Sequence, residues 1–347
     1  MGKRRGILYL ALACLAVGVS YFSGERVQAA SVEYSVVPEK SAKQVDQNQS
    51  YFDLKLAPGK KEVVTVAVHN NTNKAIVVET NVDRLTTNSN GVVEYTNSNQ
   101  RQNVKLKYKI NDLVKASTNQ IKLAAKATQK VTYTVQQPAE KYDGVLAGGI
   151  NFVKKNNDDA KQKSNMSVKN QYGYSIAIIL HGNKDLAKHT VTAGKAEVKQ
   201  SNKRNSVYVP IKNETAAFLN KVKVDGKVFR AGSDKVIYTN KMENAQVAPN
   251  SVYDFPISTN ETALKPGKYT VKVNVESKGE KWQFTKYFEI TRTQSVKLNK
   301  TAVLKKEDHT RAIISAIILV LVALILIILW FLRRKNREIE ALKRKMK

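Results

Sequence analysis

The sequence predicts an all-β chain in which two antiparallel β-sandwich domains precede one C-terminal transmembrane α-helix. Three observations predict it. Apolar and polar residues alternate at period two through most of the chain. Turn residues punctuate the alternating runs at short intervals. A single uninterrupted apolar stretch of membrane-spanning length lies near the C-terminus.

The N-terminus opens with Lys3, Arg4 and Arg5, continues through an apolar run from Ile7 to about Val19, and reaches the small-residue site Val27-Gln28-Ala29. That order is the layout of a secretory signal peptide, so residues 1–29 are expected to be a leader cleaved at Ala29 or one residue later. Cys14 falls inside the apolar run, too early for a lipoprotein anchor, and Ala11-Leu12-Ala13 lacks the Leu usual at the third place before such a Cys. It is the sole cysteine. The processed chain is therefore expected to carry no disulfide and to rely on core burial.

Strand signals follow in order. Val64, Val66 and Val68 share one face, as do Ile76, Val78, Thr80 and Val82. In VKLKYKI, Val104, Leu106, Tyr108 and Ile110 are expected inward, with Lys105, Lys107 and Lys109 outward. Val131, Tyr133 and Val135 form another face, and Tyr269, Val271, Val273 and Val275 a later one. Pro58-Gly59, Asn90-Gly91, Asp225-Gly226 and Pro266-Gly267 supply turns. One short helix is expected over Asp112–Ala125. Short strands at this spacing suggest immunoglobulin-like sandwiches. The first is expected over residues 31–153 and the second over 170–295. The polar run 154–169 is read as a linker between them, and 296–311 as a stalk.

Ala312–Leu332 holds no charge and one polar side chain, Ser315, over 21 residues. About 20 residues of helix cross the hydrocarbon core. Trp330 marks one end, and residues 333–347 form a tail with eight basic and two acidic side chains. Basic flanks stay cytoplasmic, so the chain before the span is expected outside and the tail inside.

Of the formal net charge of +29, the leader holds +3 and the tail +6, which leaves +20 between them. Such a charge favours anionic partners. Nucleic acid is a poor candidate for an exterior domain, and anionic wall polymers are a better one. The regular row Lys105, Lys107, Lys109 is the candidate wall-polymer contact, with blunting of a sheet edge as the structural alternative.

EKYDGVLAGGINF, from Glu140 to Phe152, looks at first like a phosphate cradle. A Walker loop needs Gly-x-x-x-x-Gly-Lys-Ser/Thr, and a dinucleotide fingerprint needs Gly-x-Gly-x-x-Gly opening a helix. Neither spacing is present. The stretch is read as a strand, Val145–Val153, whose small residues permit close backbone approach. His69, His181, His189 and His309 lack metal-ligand spacing, and Asp158-Asp159 lacks the alternating oxygen ligands of a calcium loop. No nucleophile elbow occurs. The reading is therefore no enzyme, no cofactor and no metal. Two glycosidase carboxylates can be far apart in sequence, which keeps a wall hydrolase as a competing class. Trp282, Phe284, Phe288 and Ile290 share parity and read as core, with Tyr287 on the opposite face.

YSVVPEK (Tyr34–Lys40), the run from Tyr51 to Val82 and YDGVLAGGINF (Tyr142–Phe152) resemble the WxL-interacting protein family of Gram-positive bacteria. IAIILHG (Ile176–Gly182) and KWQFTKYFEI (Lys281–Ile290) carry the resemblance into the second half. It implies a peptidoglycan-binding domain, then a host-binding domain, one transmembrane helix and a basic tail. It also implies secreted WxL-domain proteins as partners, with direct adhesion to host matrix proteins as the alternative. It transfers no set of contact residues.

Overall fold

The structure, a computed structural model, describes residues 32–96, 106–155, 173–305 and 310–345. Ala29, Lys105, Asp158, Asp159 and His309 lie outside the described residues.

The first part of the chain forms β1 (Tyr34–Pro38), β2 (Phe52–Lys55), β3 (Lys61–Asn70), β4 (Ile76–Arg84), β5 (Thr86–Thr87) and β6 (Val93–Glu94). A single helical turn, α1 (Ile110–Leu113), follows. Then come β7 (Val114–Ala116), β8 (Gln120–Leu123), β9 (Thr128–Gln136), β10 (Val145–Lys154) and β11 (Gly173–His181). One sheet has the order β1-β3-β9-β7 and the other β2-β11-β10-β4-β8. The expected period-two faces meet between them. Val64, Val66, Val68, Val131, Tyr133 and Val135 share one core with Ile76, Val78, Ile150, Phe152, Ile176, Ile178 and Leu180.

The second sandwich comprises β12 (Val191–Ala193), β13 (Glu197–Ser201), β14 (Arg204–Asn213), β15 (Leu219–Arg230), β16 (Val236–Val247), β17 (Ser251–Ser258), β18 (Gly267–Ser277) and β19 (Glu280–Ile290). Its sheets run β12-β14-β17-β5-β6, with β13 also on β14, and β16-β15-β18-β19. Val207, Val209, Ile211, Tyr253, Phe255 and Ile257 pack against Val224, Val228, Val271, Val273 and Val275.

Four expectations need correction. The helix expected over 112–125 is one helical turn followed by β7 and β8, because Ile121 and Leu123 are buried at strand spacing. The strand expected over 104–110 is not formed among its described residues. Leu106–Lys109 is irregular, and Ile110 opens α1. The run 154–169 was expected to join two sandwiches. Instead β10 and β11, on either side of it, are antiparallel neighbours, with Val153 opposite Gly173, so β11 belongs to the first sandwich. Finally, the run 296–311, expected to be a stalk, begins folded against the second sandwich. α2 (Arg292–Thr301) docks on the second sandwich, where Ser295 Oγ and Asn299 Nδ2 donate to Leu264 O. The Thr291 side chain caps it by accepting from Gln294 N, and beyond it Lys305 N donates to Glu261 O at 2.9 Å.

The sandwiches are interlaced in both directions. β11 pairs parallel with β2, Leu180 opposite Leu54. β5, from the first stretch of chain, pairs parallel with β17, Thr87 opposite Tyr253. Around that crossing Ala248 N donates to Thr87 Oγ1 at 3.0 Å, and Leu85, Val93 and Ala248 form a small buried cluster of their own. Val145 N donates to Ala216 O at 2.7 Å. Gly144 just before it has φ +82°, and a Cβ there would sit 2.2 Å from the same carbonyl oxygen. A residue without a side chain is needed at this junction.

α3 (Thr310–Lys345) carries the apolar stretch. Within it, Ile317–Lys335 is long and apolar enough to cross a membrane.

Candidate functional site

β4 is paired on one edge by β10 as far as Arg84, but on the other edge β8 accompanies it only from Ile76 to Glu79. Beyond Glu79 that second edge has, among the described residues, one backbone bond, Thr80 N to Asn119 O at 3.0 Å. In the facing sheet, the short β7 is the edge strand. Where β8 leaves the edge of β4 there is a groove of about 880 Å³, lined from β4, α1, β7, β8 and β10.

The walls of the groove are Val82, Val114, Ala116 and Val153. Its rim carries four exposed side-chain amides: Asn81, Asn111, Asn119 and Gln120. Asn81 donates to Asp83 Oδ2 at 2.9 Å and Gln120 to Glu79 Oε1 at 3.2 Å, which leaves their carbonyl oxygens turned to other uses. Among the described residues Glu79 is the one carboxylate lining the groove, and Lys155 holds it at 3.2 Å. Lys115 Nζ donates to Asn111 O at 3.1 Å. At the inner end, Thr80 Oγ1 lies 2.6 Å from Tyr133 OH. Burial pushes that phenol up to about 12, against a smaller opposing effect of the Thr80 hydrogen bond, so it stays neutral.

This arrangement offers amide donors and acceptors above an apolar floor, with little net charge. It suits a neutral polymer carrying amides and hydroxyls. General acid and base work on a glycosidic bond uses two carboxylates across the bond, and among the described residues one carboxylate, already ion-paired, lines the groove.

The residues singled out in the sequence lie elsewhere. Lys107 is ion-paired with Glu140, and its Nζ sits 5.4 Å from the centre of the Tyr108 ring. Lys109 immediately precedes α1. The described part of the lysine row is thus neither a strand face nor part of the groove. His69 Nδ1 is 2.8 Å from Thr128 Oγ1, His181 Nε2 is 2.6 Å from Asp53 Oδ1, and His189 Nδ1 is 3.1 Å from Glu280 Oε1. Among the described residues no group of three or more His, Cys, Asp or Glu is placed to hold a metal ion. Phe288 and Ile290 are core, Trp282 and Phe284 pack against it, and Tyr287 is 73% exposed, in line with their parity.

Gly148 and Gly149 are buried in β10, in line with the reading of that stretch as a strand approached closely by other backbone. A Cβ on Gly149 would fall 2.3 Å from Tyr95 O. The groove amides were missed because three of them, Asn111, Asn119 and Gln120, lie on or beside the segment expected to be a helix. On a helix they would not line one edge.

Residues 34–154 match the family model described as WxL Interacting Protein, peptidoglycan binding domain. Residues 163–300 match WxL Interacting Protein, host binding domain. A search of curated proteins found no match. Among solved structures, the Escherichia coli chaperone DraB aligns at 16% identity, covering 68% of this chain and 91% of its own, with a TM-score of 0.25. The Salmonella enterica SafA pilin–SafB chaperone complex aligns at 10% identity, covering 68% and 99%, with a TM-score of 0.27. Scores this low carry no functional meaning.

Proposed function

The chain belongs to the WxL-interacting protein family, a cell-surface binding protein with a peptidoglycan-binding and a host-binding domain, and on that premise we propose that it is a non-enzymatic scaffold. In this reading it is anchored by α3 with both sandwiches outside the cell and the basic tail inside. The first sandwich grips peptidoglycan through the groove, and the molecule displays secreted WxL-domain proteins at the wall. The observation that carries the proposal is the amide-rimmed groove in the part of the chain matched by the peptidoglycan-binding model. Peptidoglycan is built of N-acetylated sugars and short peptides, whose amides and hydroxyls complement Asn81, Asn119 and Gln120. The orientation is supported by the basic residues that follow the apolar stretch.

A second reading, direct adhesion to host matrix proteins, is favoured by the host-binding model over residues 163–300. Detergent-solubilised full chain mixed with insoluble peptidoglycan and with a secreted WxL-domain protein separates the readings. The first reading expects both to be retained. Asn81→Ala/Asn119→Ala/Gln120→Ala is expected to weaken peptidoglycan retention by at least about tenfold, since each neutral hydrogen bond contributes about 0.5–1.5 kcal/mol. Unchanged retention by a folded triple variant removes the groove from the account. Release of soluble wall fragments by the natural chain would instead reveal a hydrolase.

A further inference from the structure

The outward face of the β15-β18-β19 sheet has a pattern that simple solvation does not explain. Backbone register places Lys227 of β15 directly opposite Lys272 of β18, and Lys272 opposite Thr285 of β19. Like charges set side by side on neighbouring strands are destabilising. The carboxylates on this face each have a lysine neighbour of their own, Glu289 standing opposite Lys268. Asp225 pairs with Lys241 at 3.6 Å, and Glu276 lies 3.9 Å from Lys281. One row in the other direction, the register runs Phe229, Thr270, Tyr287. Tyr287 is 73% exposed, and Lys272 Nζ stands 5.3 Å from the centre of the half-buried Phe229 ring. On the far side of the lysine pair the register runs Asp225, Asn274, Gln283, the two amides exposed.

Strands lie about 4.8 Å apart, and residues two apart along a strand are separated by about 6.8 Å. The three rows therefore make a platform of roughly 10 by 14 Å, with cations in the middle, aromatic rings on one side, and on the other two amides beside Asp225, which Lys241 neutralises. We propose that this platform binds a sulfated, ring-built polysaccharide of the glycosaminoglycan type. Sulfate groups answer the paired ammonium groups. The C–H face of a sugar ring stacks on Tyr287 and Phe229, and hydroxyls meet Thr285, Asn274 and Gln283. A polyol-phosphate wall polymer would satisfy the lysines but has no ring to place on the aromatics. A neutral glycan would leave the lysine pair uncompensated. The proposal rests on the reading that the second sandwich faces outward at the surface, and it names the chemistry which that sandwich recognises.

The test uses detergent-solubilised full chain on three immobilised polymers: heparin, a glycerol-phosphate teichoic polymer and neutral dextran. Heparin is expected to bind, and to bind less as salt is raised. Lys227→Gln/Lys272→Gln is expected to weaken it by about tenfold and Tyr287→Ala by about threefold. Neither variant should lose thermal stability, because all three side chains are exposed. Heparin binding that ignores both variants overturns the proposal. So does teichoic binding as strong as heparin binding with Tyr287→Ala without effect on either, because charge alone would then account for the face. Peptidoglycan retention measured on the same preparations reads the groove separately. A natural chain that binds heparin but fails to retain peptidoglycan counts against the groove and leaves the platform standing.

Discussion

Each sandwich completes itself with a piece of the other's stretch of chain, but the two exchanges differ in weight. The first sandwich takes β11 from the region matched by the host-binding model and places it inside a sheet, between β2 and β10. Ile176, Ile178 and Leu180 go into its core. The second takes β5 and β6, two residues each, at the end of a sheet, and gains a small cluster around Leu85 and Val93. β11 supplies one of the two ladders of β10 and, among the described residues, the one strand ladder of β2, whereas a terminal hairpin only covers an edge. Dependence between the sandwiches is thus asymmetric. The sequence-family boundary near residue 154 is not a folding boundary, and the chain passes to the second sandwich only after His181.

The largest effect expected from this asymmetry is in fragments. Burying three large aliphatic side chains contributes about 1.5–3 kcal/mol each, a sum comparable with the roughly 5–15 kcal/mol that holds a whole domain together. A fragment of residues 32–155 should show no cooperative unfolding transition by circular dichroism, and one of residues 32–190 should show one. A cooperative transition in the shorter fragment, at the same denaturant midpoint, would mean β11 is dispensable. A fragment of residues 188–305 keeps the His189 and Thr190 contacts to Glu280 and Thr215, lacks the β5–β6 hairpin, and should still fold, with a lower midpoint.

Gly144→Val acts on the junction rather than on either core. It forces a β-branched residue into a left-handed conformation and drives its Cβ into Ala216 O. A cost of about 2–4 kcal/mol is expected from strain and overpacking. The signature sought is calorimetric: one unfolding transition in the natural chain and two in the variant. A single transition at the natural temperature would show that the junction does not couple the sandwiches.

Much of the fold was legible because burial at period two is written locally. Val64, Val66 and Val68 in β3 and Tyr269, Val271, Val273 and Val275 in β18 reveal their inward faces without help from the rest of the chain. Which sheet a strand joins is not written that way. Ile176, Ile178 and Leu180 alternate just as a strand of the second sandwich would, and only pairing with β2 and β10 assigns them. Leu106, Tyr108 and Ile110 also alternate. β10 already has β4 and β11 on its two edges, so this segment covers it through Ile110, whose Cγ2 lies 2.6 Å from where a Gly148 Cβ would be. The groove was illegible for a related reason. It exists where β8 stops short of β4, and a missing neighbour leaves no mark in the residues that line the gap.

The smallest effect distinguishes the two cores by one hydroxyl each. Tyr133 and Tyr253 are both fully buried central tyrosines, and burial raises the pKa of both. Tyr133 OH is 2.6 Å from Thr80 Oγ1, whereas Tyr253 OH has no hydrogen-bond partner among the described residues. Removing one member of a buried pair leaves the other unsatisfied at a cost of about 1–3 kcal/mol, whereas removing an unpaired buried hydroxyl relieves a desolvation penalty. Tyr133→Phe is therefore expected to destabilise the first sandwich by about 1 kcal/mol, while Tyr253→Phe leaves the second unchanged or more stable by up to about 1 kcal/mol. Chemical denaturation of the two variants beside the natural chain measures both. Equal losses in the two would mean that the Tyr253 hydroxyl is satisfied after all, and that the contrast between the cores does not reach their tyrosines.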